Sequence, residues 1–231
     1  MIRIFFSLAV VALVLLAVNL LIGLSIGDYN SAAQAWLDSV AEVRRLEHQR
    51  RGADGESLAA ARQRQQELNQ SLAPQRQRVR WHWLFGLAAS LVTILVNSVT
   101  VTYFIGTSRW CKEVGDAYSL APELAARSAQ LKRRTFPWAL GSMLVIVGIV
   151  ALGASSEPGN SLVEQPASWV HFHLAAALVG VCLILLSFFV QAHQIHANSL
   201  LVQQMMDEVR RIRSDRGLDV APADVASSIP G

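Results

Sequence analysis

Four stretches of the chain, residues 4–26, 83–105, 136–154 and 169–192, contain no Asp, Glu, Lys or Arg, while the longer segments between them are rich in charge. Each stretch is close to the ~20 residues that a helix needs to cross a bilayer. In lipid a backbone satisfies its own hydrogen bonds only as a helix or a closed barrel, and runs this long and this uniformly apolar are helical. The pattern predicts an all-α protein: a four-span transmembrane helix bundle with an extracytoplasmic helical hairpin and a cytoplasmic C-terminal helical extension. The first stretch is too long for the apolar core of a signal peptide, so it is read as a retained span despite the cleavage-like Ala33-Gln34-Ala35.

The polar segments carry a second period. Trp36, Leu37, Val40, Val43 and Leu46 recur at helical spacing. After Gly52-Ala53-Asp54-Gly55, Leu58, Ala61, Leu68 and Leu72 do the same. Two amphipathic helices joined by a Gly-rich turn predict a hairpin over residues 28–80. Pro74 suits the first turn of a new helix running into the second span. The expected boundaries are spans at 1–27, 81–106, 136–155 and the start of 168–214. Short helices are expected in the 107–135 loop, with Gly106 ending span two and Pro122 opening the later helix. A short loop over 156–167 and a disordered tail over 215–231 complete the division.

Charge adds an orientation. Lys and Arg number six in the second loop, four in the C-terminal segment, one at the N-terminus and none in the third loop. The positive-inside rule then places both termini and the second loop in the cytoplasm. The first loop dissents with nine Arg, three of them (Arg76, Arg78, Arg80) next to span two. The net charge of +3 suits anionic lipid headgroups and does not call for nucleic acid.

The spans also have predicted faces. His82, Gly86, Ala89, Thr93, Asn97 and Thr100 form one stripe of span two, and Ala12, Asn19 and Gly23 one of span one. Gly141, Gly148 and Ser155 form a seven-residue repeat of small residues in span three that suits close coiled-coil-like packing. In span four a small, polar stripe (His173, Gly180, Ser187, Gln191, Asn198) is expected to face the bundle. A bulky one (His171, Leu178, Cys182, Leu185, Phe189, His193, His196) is expected to face lipid.

Candidate chemistry is sparse. His82 and His173 fall at similar depth on inward stripes, where two imidazoles can ligate a haem iron or contribute to a metal or quinone site. Against this, Trp81, Trp83 and Trp169, with Trp110 and Trp138 at other span ends, read as membrane-interface anchors, and histidine tolerates that zone. His193 and His196 share a face but lack an evident third ligand, which zinc would need. Cys111 lies between Arg109 and Lys112, a setting that favours a reactive or acylated thiol. The competing view makes Trp110 an anchor and Cys111 incidental. No nucleotide-binding, metalloprotease or serine-hydrolase motif is present. The expectation is a non-enzymatic, multi-pass cell-membrane protein: a scaffold, sensor-like or assembly subunit without cofactor. It would meet a protein partner or a second copy through its hairpin or C-terminal helix. The alternative is a subunit for electron transfer with haem b or quinone, held by His82 and His173, and a third is a small channel or carrier.

Overall fold

The computed structural model describes residues 1–48, 55–158 and 166–218, and over these the chain is entirely α-helical apart from short turns. The helices are α1 (Ile2–Leu24), α2 (Tyr29–His48), α3 (Gly55–Tyr118), α4 (Pro122–Ser155) and α5 (Pro166–Asp215). Four of them, all but α2, are long and apolar enough to cross a membrane. Only 17–33% of the residues in their most apolar windows are buried within the chain. Their outward faces carry Leu21, Leu144 and Phe189, each more than 60% exposed. Such surface is unfavourable in water and suits lipid.

Local chemistry sets the helix ends. After α1, Gly27 takes a positive φ of 73° and turns the chain. Asp28 Oδ1 then accepts from the Ser31 amide at 3.2 Å, capping the first turn of α2. Arg45 and His48 lie in the last turn of α2, where positive charge complements the helix dipole. Ser119 takes φ 53° after α3, and the Leu120 amide reaches back to the Gly115 carbonyl at 2.9 Å. This is a Schellman-type stop whose apolar residue, Leu120, packs inward. Pro122 opens α4 as expected. At the end of α5, Gly217 has φ 67° and accompanies bonds from Gly217 to Ser214 and Leu218 to Arg213.

Three expected boundaries are corrected. Pro74 lies inside α3, not at a helix start. The cost is one missing backbone hydrogen bond and crowding at the preceding turn, set against helical residues on both sides and buried Leu72. Gly106 does not end a helix either. An isolated glycine costs only about 1 kcal/mol relative to alanine, and α3 continues to Tyr118. The 107–135 segment is therefore the tail of α3 and the head of α4 joined by one tight turn, not a loop with separate short helices. The Gly52-Ala53-Asp54 turn, most of the 156–167 loop and residues 219–231 of the expected tail lie outside the described residues.

The chain divides into two compact units. One comprises Ser7–Leu95 and Ser142–Leu186. In it α2 meets the early part of α3 at two points in opposite order: Arg62 pairs with Glu47 at 2.7 Å, and Arg76 lies 4.5 Å over the Trp36 ring. Arg78 donates to the Ser25 carbonyl at 2.7 Å, capping the end of α1. Two of the three arginines beside span two thus have local structural tasks. The other unit comprises Met1–Phe6, Val96–Gly141 and Ser187–Gly231. Its core includes an edge-on Phe5–Phe188 pair. A second cluster there is formed by Cys111, Leu120, Met205 and Val209, with Trp110, Val114, Tyr118, Leu124, Val202 and Ile212 packed against it.

The predicted faces of α3 and α5 are the observed ones. Ala89, Thr93, Asn97 and Thr100 are buried, as are Gly180, Ser187, Gln191 and Asn198. All seven residues of the bulky α5 stripe are exposed. The α4 repeat is not the seam. Gly148 is exposed, and a Cβ at Gly141 or Gly148 would meet nothing within 4 Å. The buried line of α4 runs through Leu131, Thr135, Ala139, Ser142 and Ile146. The small residue is on the opposing helix: a Cβ on Gly180 would lie 2.5 Å from Ile149 Cδ1 and 3.0 Å from Val145 Cγ1. Branched side chains of α4 therefore fill a notch in α5. Gly180→Leu is expected to destabilise the protein by about 1–3 kcal/mol through overpacking, while Gly148→Leu should leave the melting temperature in detergent nearly unchanged.

Candidate functional site

His82 on α3 and His173 on α5 come together, with ring centres 6.1 Å apart and ring planes at 83°. Each ring is held in the same way. His82 Nδ1 is 3.2 Å from the Asn19 carbonyl of α1, and His173 Nδ1 is 3.1 Å from the Ile149 carbonyl of α4. A carbonyl only accepts, so each Nδ1 carries the proton and donates, which leaves Nε2 of each neutral imidazole with its lone pair. A glycine lies four residues beyond each carbonyl. A Cβ on Gly23 or on Gly153 would stand 3.0 Å from Cε1 of its histidine. The absent side chain is what lets each ring lie against its neighbouring helix.

The pairing of α1 with α3 thus repeats in the pairing of α4 with α5. Both α1 and α4 reach the site through Gly-x-Ser, as Gly23-Leu24-Ser25 and Gly153-Ala154-Ser155. That shared tripeptide is the signal that points to Gly153, which the heptad reading of span three passes over. Asn19 contributes more than its carbonyl. Its side chain lies against Gly86, 3.2 Å from where a Cβ would stand, and its Oδ1 is buried with no hydrogen-bond partner.

His171 is exposed on the opposite face of α5, and His193 and His196 are exposed further along it. Among the described residues no group of three or more His, Cys, Asp or Glu is arranged to hold a metal ion. Trp81, Trp83, Trp138 and Trp169 are 37–49% exposed, which suits anchors at a bilayer boundary. Trp83 also donates to Glu157 Oε2 at 3.4 Å. Trp110 instead packs on the Cys111 cluster. Cys111 itself is fully buried. Burial pushes its thiol above the usual range, with the Ser128 hydroxyl working against the shift. The neighbouring Arg109 turns away to pair with Glu113 at 2.8 Å. This setting opposes both thiolate chemistry and acylation, contrary to what the flanking cations suggest in the sequence.

The second unit holds a ladder of buried amides and hydroxyls. Gln191 Nε2 donates to Asn97 Oδ1 and to Ser187 Oγ, both at 2.8 Å. Ser187 donates to the Trp138 carbonyl at 2.8 Å. Asn198 Nδ2 donates to the Tyr103 and Thr107 hydroxyls at 3.0 Å, and its Oδ1 accepts from Ser128 at 3.2 Å. Sequence reading placed Asn97, Gln191 and Asn198 on inward faces, but not Tyr103 or Ser128, whose role depends on which helices become neighbours. Comparison with protein families, with curated proteins and with solved structures finds no match to this chain.

Two measurements check these arrangements. Asn97→Leu and Gln191→Leu should each destabilise the protein by about 1 kcal/mol, and the double variant by less than their sum, because interhelical hydrogen bonds in membranes are worth about 0.6–2 kcal/mol. For Cys111, the folded state prefers the thiol. Its contribution to stability is complete below the ordinary thiol value and is lost as pH rises from there toward the raised folded value. Wild-type protein should therefore lose stability relative to Cys111→Ala above about pH 8.5, followed by melting in detergent.

Proposed function

We propose that this is a non-enzymatic membrane subunit of the sensor or assembly kind, in which α2 and the start of α3 form an extracytoplasmic hairpin. The observation that carries this reading is α3 itself. It runs unbroken for 64 residues, about 95 Å at 1.5 Å per residue, when about 20 residues cross a bilayer. The same helix carries part of the hairpin and, further along, Cys111. There Leu120, Met205 and Val209 give the ends of α3 and α5 an apolar core of their own, with a polar outer face that includes Arg210, Arg211 and Glu208. A protein partner or a second copy would dock at the hairpin or at this end of α5.

The proposed orientation has both termini in the cytoplasm. The Lys132-Arg133-Arg134 cluster supports it. So does the use of Arg76 and Arg78 for contacts to Trp36 and Ser25, which accounts for basic residues on the side where the rule disfavours them. The four spans and the outward apolar faces support the cell membrane as the site of residence. The second reading, a haem- or quinone-linked subunit, draws on the paired histidines alone.

The test couples the two ends. Cysteines at Glu47 and Arg62, whose long side chains pair at 2.7 Å, allow the hairpin to be locked by a bismaleimide cross-link, which bridges a gap too wide for a disulfide, in a background without Cys111 and Cys182. Locking should slow amide exchange across residues 202–212 several-fold, and two glycines inserted after Arg80 should abolish the effect. Exchange that ignores the lock would refute coupling through α3. Labelling of a cysteine at Gly55 by an impermeant reagent from the cytoplasmic side would refute the orientation.

A further inference from the structure

We infer that His82 and His173 form a transition-metal site, taking a centre that accepts two imidazole nitrogens. Three features of the geometry converge. First, both Nδ1–H groups are committed to helix carbonyls. A ring N–H anchored on a backbone carbonyl is the arrangement that orients metal-bound histidines and fixes the tautomer presenting Nε2. Second, two imidazoles facing each other across one ion, with metal–nitrogen bonds of about 2 Å, have ring centres about 6 Å apart. The observed separation is 6.1 Å, with the rings edge-on at 83°, so one ion can lie within reach of both rings. Direct contact between the rings through an N–H is not available to two Nε2 atoms that both lack the proton.

The third feature is the polarity of the surroundings. Among the described residues neither Nε2 has a hydrogen-bond partner. Asn19 Oδ1, on the residue whose carbonyl holds His82, is buried and also unpartnered. The pair therefore presents two acceptor nitrogens without a partner, beside one buried acceptor oxygen. An electropositive guest gives these acceptors the partner they lack. The carboxylates that would favour hard cations are missing from the spans, and imidazole suits copper, iron and zinc. Two imidazole nitrogens suit monovalent copper as a bare ion, or the iron of a haem. The shared chemistry is the same axial pair of nitrogens, and Gly23 and Gly153 are what allow both rings to reach it.

The experiment uses the full chain, purified in detergent, in a His193→Ala/His196→Ala background that removes the exposed pair on α5. Cu(I), delivered anaerobically against a chromogenic chelator, should bind at one ion per chain. Haemin, added separately, is followed through the absorption bands of its reduced form. His82→Phe and His173→Phe, which preserve ring volume, should each weaken binding at least tenfold. His171→Ala should not, because it faces away from the site. X-ray absorption of the loaded unsubstituted-site protein should report two nitrogen donors at the metal, a readout that needs no variant to fold. Stoichiometric Cu(I) lost in both Phe variants supports a bare-ion site. Haem bands lost in the same variants support the site with porphyrin iron as its source. Binding of neither probe, or binding that survives in His82→Phe and His173→Phe, overturns the inference, and leaves the proposed coupling through α3 unaffected.

Discussion

Inside a bilayer a polar group has no water to fall back on, so partners within the protein become decisive, and Asn19 Oδ1 is a buried exception that lacks one. The whole arrangement follows from that constraint. It makes the four apolar segments helical, because only a helix closes its own backbone bonds. It also governs the few polar side chains that the spans do carry. Gln191, Asn97 and Ser187 are linked to one another, and Asn198 is saturated by Tyr103, Thr107 and Ser128. His82 and His173 use carbonyls that are already bonded within their own helices, since a carbonyl oxygen has a second lone pair to offer.

Association between the helices cannot draw on the hydrophobic effect, because lipid is as apolar as leucine. It relies on close packing and on those few polar links. Glycine therefore matters where a neighbour's side chain arrives. Gly180 receives Ile149, Gly23 receives His82 and Gly153 receives His173. In each case the absent side chain turns a helix surface into a seat for another residue. Gly141, Gly148 and Gly106 are no less glycine, yet a side chain added at any of them would meet open space. The composition of a stripe is a weaker guide than what faces it.

The helices do not stop where the lipid-compatible segments stop. α3, α4 and α5 continue as polar helices, and the Cys111 cluster gives the extensions of α3 and α5 an apolar core. Helix propagation explains this. Once a turn is formed, each added residue gains a bond for little further cost, and neither Gly106 nor Pro74 is a sufficient obstacle. The ends of α3 and α5 instead combine a positive φ, at Ser119 and Gly217, with a reversed bond from the next residue.

The number of spans, the helical nature of the segments between them, and the inward faces of α3 and α5 were legible in the sequence. They depend on local composition and on the helical period, which every residue carries with it. The meeting of His82 with His173 was half legible: depth and face were readable, but not the ring orientation, which depends on carbonyls of two other helices. The seam of α4, the seats at Gly153 and Gly180, and the burial of Cys111 were decided only in the tertiary structure. Each is set by the side chain that a neighbouring helix brings to that point, and neighbour identity is a property of the packed bundle that no single helix contains.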